Sequence, residues 1–132
     1  MTESADANKK IVVVVVEDDH YILDFMKFTL EEQGYHVFGA ADGEEGLSLI
    51  QSQLPLLVVL DLMLPKMDGF AILKRMSEKP ETAHIPVVVV SAYTASESTR
   101  RMVNSQSNVK DIFTKPVRTK DFLEKLRTLI PS

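Results

Sequence analysis

Stretches 11–16 (IVVVVV), 56–60 (LLVVL) and 87–90 (VVVV) contain no polar residue. A strand with one face in water alternates apolar and polar side chains, so unbroken runs of this length fit strands covered on both faces. Their valine content favours strand over helix. Strands of this kind belong to parallel sheets, in which each connection crosses over and covers a face. The intervening sequence supplies the crossovers. Ile22, Leu23, Phe25, Met26 and Leu30 recur at helical spacing, and Gly34 follows them as a stop. Residues 35–40 read as a shorter strand with Asp42-Gly43 as its turn, and 44–53 as a helix presenting Leu47, Leu49 and Ile50. Asp68 is placed to cap a helix carrying Phe70, Ile72, Leu73 and Met76. Residues 96–104 offer only Met102 and Val103 as apolar content and predict a marginal helix. Residues 110–114 form a short last strand, and 119–130 a helix with Phe122, Leu123, Leu126, Leu129 and Ile130 on one face. Five strands alternating with five helices predict an α/β fold: a doubly wound five-stranded parallel sheet in the order 2-1-3-4-5.

At 132 residues the chain suits one domain with a full core rather than two. Residues 1–9 are polar and predict a frayed tail, leaving 10–132 as the domain. A net charge of -4 argues against direct nucleic-acid binding, because no basic stripe faces the phosphates. The absence of cysteine excludes disulfides and thiolate metal sites. No apolar run approaches the ~20 residues of a membrane span, and the polar start lacks the apolar core of a signal peptide. A cytoplasmic protein with no membrane partner is therefore expected.

In the predicted sheet the C-terminal strand ends share one edge, where ligands of doubly wound sheets bind. The first strand ends in Glu17-Asp18-Asp19, the third in Asp61, the fourth in Ser91 and the fifth in Lys115-Pro116. Singly, each residue has a plain structural reading: Asp19 as the cap of the first helix, Ser91 as a turn hydroxyl, Lys115 as a solvated cation. Together they bring carboxylates, a hydroxyl and an ammonium to one crevice. Carboxylates about 5 Å apart repel by roughly 3 kcal/mol per pair at an effective dielectric near 20, so the cluster calls for a cation. Oxygen ligands without His or Cys point to Mg²⁺. His20, His36 and His84 are scattered and show no ligand spacing.

The segments Val15-Val16-Glu17-Asp18-Asp19, Leu60 to Gly69 (LDLMLPKMDG), Val90-Ser91-Ala92 and Thr114-Lys115-Pro116 resemble the receiver domains of two-component response regulators. The resemblance runs from Lys10 to about Ile130 and implies a flavodoxin-like fold. It also implies that Asp61 accepts a phosphoryl group from the phosphohistidine of a sensor kinase or phosphotransfer protein. Asp18 and Asp61 would ligate Mg²⁺ directly, Glu17 through water, and the backbone carbonyl of Met63 would add an oxygen. Ser91 would hydrogen-bond the phosphoryl group, Lys115 would pair with its charge, and the Lys115–Pro116 bond would be cis. Output would pass to a downstream protein or effector domain from the face made by the fourth helix, fifth strand and last helix. The implied role is a signalling domain rather than an enzyme.

This sequence also departs from the family pattern. The aromatic residue usual three positions before the lysine is Ile112, so the switch that it would form with Ser91 is altered. A β-branched chain is stiff at its first torsion and does not swing as a ring does. Phe113, one residue on, would face the opposite side of the strand and stay in the core. Asn108-Val109 stands where the family has Gly-Ala, with Asn108 able to take the left-handed conformation. The spacing from Ser91 to Lys115 is slightly long, which predicts an unusual fourth helix. A haloacid-dehalogenase-like phosphatase needs an acid two residues after the nucleophile, where Met63 cannot donate a proton. A flavin binder needs a first loop that cradles phosphate, which Glu17-Asp18-Asp19 would repel. The remaining alternative is a pseudo-receiver, a docking module that works without phosphorylation.

Overall fold

The computed structural model describes residues 11–92 and 96–130. Five strands, β1 (Val12–Val16), β2 (His36–Ala40), β3 (Leu57–Leu60), β4 (Val87–Ser91) and β5 (Val109–Thr114), form one parallel sheet in the order β2-β1-β3-β4-β5. Helices α1 (His20–Glu32), α2 (Gly43–Gln53), α3 (Gly69–Ser77), α5 (Glu97–Asn104) and α6 (Thr119–Leu129) are the expected crossovers and closing helix. A one-turn helix, α4 (Pro80–Ala83), corrects the expectation of five helices to six. It has no apolar stripe to betray it. Pro80 occupies its first turn, and the buried Thr82 hydroxyl donates to the Met76 carbonyl at 2.8 Å, tying it to the end of α3.

The unbroken apolar runs are buried on both faces. Val14, Val16, Val58, Leu60, Val87 and Val89 pack beneath Ile50 of α2, Ile72, Leu73 and Met76 of α3, and Val103 of α5. Their neighbours Val13, Val15, Leu57, Val59, Val88 and Val90 pack beneath Leu23, Met26 and Leu30 of α1 and Phe122 and Leu126 of α6. Each fully buried Val or Leu contributes about 1.5–3 kcal/mol of transfer free energy, which is why the central strands set the register. Helices α1, α2 and α3 start at side-chain caps. Asp19 Oδ1 accepts from the Tyr21 and Ile22 amides, Asp42 from Glu45, and Asp68 from Ala71. Among the described residues no helix is long and apolar enough to cross a membrane.

Two details differ from the sequence expectation. Phe25, whose spacing assigns it to the buried face of α1, is 56% exposed. Asn108 does not adopt a left-handed conformation; among the described residues those with positive φ outside glycine are Leu54 and Lys66. Asn108 is instead buried, its amide Nδ2 donating to the Ile85 carbonyl at 3.0 Å while its own carbonyl accepts from Val87. Its side chain thus joins the start of β4 to the start of β5. Beside it the register slips, Val87 opposing Val109 and Val88 opposing Asp111.

Candidate functional site

Ladder hydrogen bonds carry β1 and β3 to one common height. The Asp61 amide donates to the Val16 carbonyl at 3.0 Å, and the Glu17 amide to the Ala40 carbonyl at 2.9 Å. Glu17 and Asp61 therefore leave neighbouring strands side by side, both almost wholly buried. Lys115 follows β5 immediately, and its amide donates to the Ser91 carbonyl at 3.2 Å, setting the lysine at the same edge. From there its ammonium reaches Glu17 Oε1 at 2.6 Å and Asp61 Oδ2 at 2.9 Å. The Lys115–Pro116 peptide is cis, as the resemblance implies.

The remaining carboxylate oxygens are held by backbone. Glu17 Oε2 accepts from the Asp19 amide at 3.0 Å, and Asp61 Oδ1 from the Met63 amide at 3.1 Å. Asp18 is exposed, and one carboxylate oxygen each from Glu17, Asp18 and Asp61 lies within 4.8 Å of the others. Three hard carboxylate donors with open access on the Asp18 side suit Mg²⁺, which keeps part of its water shell. Ser91 is the last residue of β4 and is fully buried, on the sheet face shared with Ile112. Ile112 is half-buried against the cluster that contains Val103 of α5. Phe113 lies on the opposite face in an edge-to-face pair with Phe122, ring centres 6.0 Å apart.

Burial pushes the Glu17 carboxyl above its usual 4.5, and the charge of Asp61 adds to this; the Lys115 ammonium and the Asp19 amide pull the other way without cancelling it. Burial by itself would lower Lys115. Its hydrogen bonds to Glu17 and Asp61, with their charges, outweigh that and hold it above 10.5.

The sequence reading did not single out the α1 side of this edge. A groove of about 460 Å³, mainly apolar with Thr29 and Thr119 in its lining, runs from Lys115, Pro116 and Val117 across Tyr21, Phe25 and Phe122. Tyr21 is 89% and Phe25 56% exposed. The signal was present as aromatic residues at i and i+4, but helical spacing alone does not say which stripe faces the sheet.

Residues 13–127 match the family model for the response regulator receiver domain. An uncharacterised 14.6 kDa protein of Leptolyngbya boryana is 37% identical over 115 residues, covering 87% of this chain and 84% of its own. The master transcriptional regulator RpaA of Synechocystis, described as DNA-binding, is 35% identical over 89% of this chain. The chain spans 48% of that regulator's length, so the likeness concerns one part of it. Among solved structures, a CheY-like receiver domain protein of Methanospirillum hungatei superposes with a TM-score of 0.83 at 30% identity, covering 91% of this chain and 93% of that one. With the sheet order, the acidic cluster and the sequence match in agreement, the chain belongs to the response regulator receiver domain family.

Proposed function

We propose that this receiver domain takes a phosphoryl group onto Asp61 from the phosphohistidine of a sensor kinase or phosphotransfer protein. The observation that carries the reading is the ion-pair lattice in which Lys115 joins Asp61 to Glu17, with Asp18 completing a three-carboxylate cluster. One oxygen of Asp61 forms the new P–O bond while the P–N bond of the donor breaks and its electron pair leaves with the imidazole nitrogen. The Met63 amide fixes one carboxylate oxygen of Asp61, which orients the nucleophile before the donor arrives. Lys115, already at this carboxylate, offsets charge gathering on the phosphoryl oxygens, and Ser91 at the neighbouring strand end supplies a hydroxyl to one of them. Asp18 and Asp61 would hold Mg²⁺ directly, Glu17 through water, and the Met63 carbonyl would add an oxygen. When bound, the ion offsets negative charge on the transferring group.

Output through the face of α5, β5 and α6 toward a downstream protein or effector is the matching second half of the proposal. The decisive experiment is incubation with Mg²⁺ and a small phosphodonor such as acetyl phosphate, followed by intact-mass measurement. One phosphoryl group is expected on the wild type and none on Asp61→Asn. A shift that persists in the variant overturns the assignment of Asp61; no shift in the wild type indicates the docking-module reading, which Ile112 at the switch position favours.

A further inference from the structure

Gly43 opens α2, outside the acidic cluster, yet it touches the loop that serves the cluster. This loop, residues 62–68, runs from β3 to α3. Its near end carries the Met63 amide that holds Asp61 Oδ1 at 3.1 Å. The same loop is closed at its base, where the Gly69 amide donates to the Leu62 carbonyl at 2.9 Å. A side chain at Gly69 would lie 2.6 Å from the Asp61 carbonyl oxygen, so the base sits hard against the acceptor's own backbone. Its far end lies over the first turn of α2. The Gly43 amide donates to the Pro65 carbonyl at 3.1 Å, and the same carbonyl accepts from Met67 at 2.8 Å. A Cβ on Gly43 would overlap the carbonyl of Met67, a clash with backbone that no rotamer change relieves. Lys66, at φ 70°, turns the chain at this point and reaches Asp42, the cap of α2, at 3.7 Å.

We propose that Gly43 is a positioning residue for the crevice: its bare Cα lets the loop after β3 seat on α2 and so fixes the Met63 backbone against Asp61. A loop this short, pinned at its base, cannot be lifted at Pro65 and Met67 without moving residue 63. The proposal rests on the phosphoacceptor reading only for its consequence in phosphoryl transfer; the coupling from Gly43 to Met63 is a matter of backbone geometry.

The test compares Gly43→Ala with Ile50→Ala, which weakens the same helix from its fully buried side, about two turns from the Gly43–Pro65 hydrogen bond and without adding an atom against the loop backbone. Three quantities are read at a temperature where both variants are folded by circular dichroism. These are amide hydrogen exchange at Met63 without metal, Mg²⁺ affinity by calorimetry, and the rate of phosphorylation by acetyl phosphate. In Gly43→Ala the Met63 amide is expected to lose protection, and Mg²⁺ affinity and rate to fall on the order of 10-fold, as for other groups that orient metal ligands. Ile50→Ala is expected to keep all three near wild type despite a lower melting temperature. Unchanged Met63 exchange and Mg²⁺ affinity in Gly43→Ala, or equal losses in both variants, overturn the proposal. If Gly43→Ala does not fold, Pro65→Gly loosens the junction from the loop side without adding an atom. It is expected to weaken Mg²⁺ binding in the same direction, and wild-type affinity there overturns the proposal. A wild type that takes Mg²⁺ but no phosphoryl group removes the phosphoacceptor reading and leaves the exchange and affinity comparisons to decide the role of Gly43.

Discussion

Lys115 and Glu17 titrate in different parts of the pH range, and each leaves a separate mark on stability, in both cases lost as pH rises. The folded-state pKa of Glu17 is raised above 4.5, so its contribution is complete below that value and is lost as pH rises through the folded pKa. Glutamine at this position has no such dependence. The melting-temperature difference between wild type and Glu17→Gln, measured without metal, should therefore shift against the wild type as pH rises from 4.5 toward neutrality; a constant difference contradicts the buried, disfavoured charge. Lys115 is raised above 10.5, so its contribution is complete below that value and is lost as pH rises through its folded pKa. Lys115→Met leaves two buried carboxylates without their cation and should cost on the order of 3 kcal/mol near neutral pH. Denaturant melts at pH 7 and above 10.5 check this, the gap from wild type narrowing in alkali.

Among the crossover and closing helices α5 buries the least, as its sparse apolar content predicts. Helix α5 buries Val103 alone, while Glu97 and Arg101 pair at 2.8 Å in full view of solvent, worth a few tenths of a kcal/mol. Strand β5 depends on Asn108, whose amide satisfies the Ile85 carbonyl. Asn108→Ala leaves that buried carbonyl without its donor and should destabilise by about 1–3 kcal/mol in urea melts. With Ile112 stiff at its first torsion, a phosphorylation signal is expected to move α5 rather than rotate residue 112. The loop from Ala92 to Ser96 is by the same argument an expected carrier, and its residues 93–95 lie outside the described residues. Structures with and without a phosphoryl mimic at Asp61 decide it: a large rotation at Ile112 over an unmoved α5 is the contrary result. The groove on α1 gives a separate prediction. A protein donor must cover surface beside the crevice, and the exposed aromatics there line a groove that begins at Lys115. Phe25→Ala should slow transfer from a protein phosphodonor roughly 10-fold, as loss of an aromatic anchor does, and leave acetyl phosphate unaffected.

For the whole molecule, a metal ion held at the acidic edge would couple its binding to folding. Mg²⁺ held by Glu17, Asp18 and Asp61 would bind the folded chain alone, adding about 1.4 kcal/mol at ten times Kd. Thermal melts with millimolar Mg²⁺ and then with chelator should show the melting temperature rise and return; no change speaks against the metal site. The fold and the edge were legible because both rest on local pattern. Apolar runs such as Val87-Val88-Val89-Val90 tolerate only a doubly covered strand, and parallel strands with crossover helices put all their C-terminal ends on one side. That topology alone puts the strand ends bearing Glu17, Asp18, Asp61, Ser91 and Lys115 on one edge. What the pattern left open depends on partners distant in sequence. Helical spacing put Phe25 among apolar residues, but only the packing of α1 on the sheet decided that it faces outward. Asn108 read as a residue able to take a left-handed backbone, and the carbonyl of Ile85, 23 residues away, drew its side chain into the interior instead. Gly43 read as one turn glycine among others; that the loop after β3 rests on it follows from two connections meeting in space, a distance no sequence period encodes.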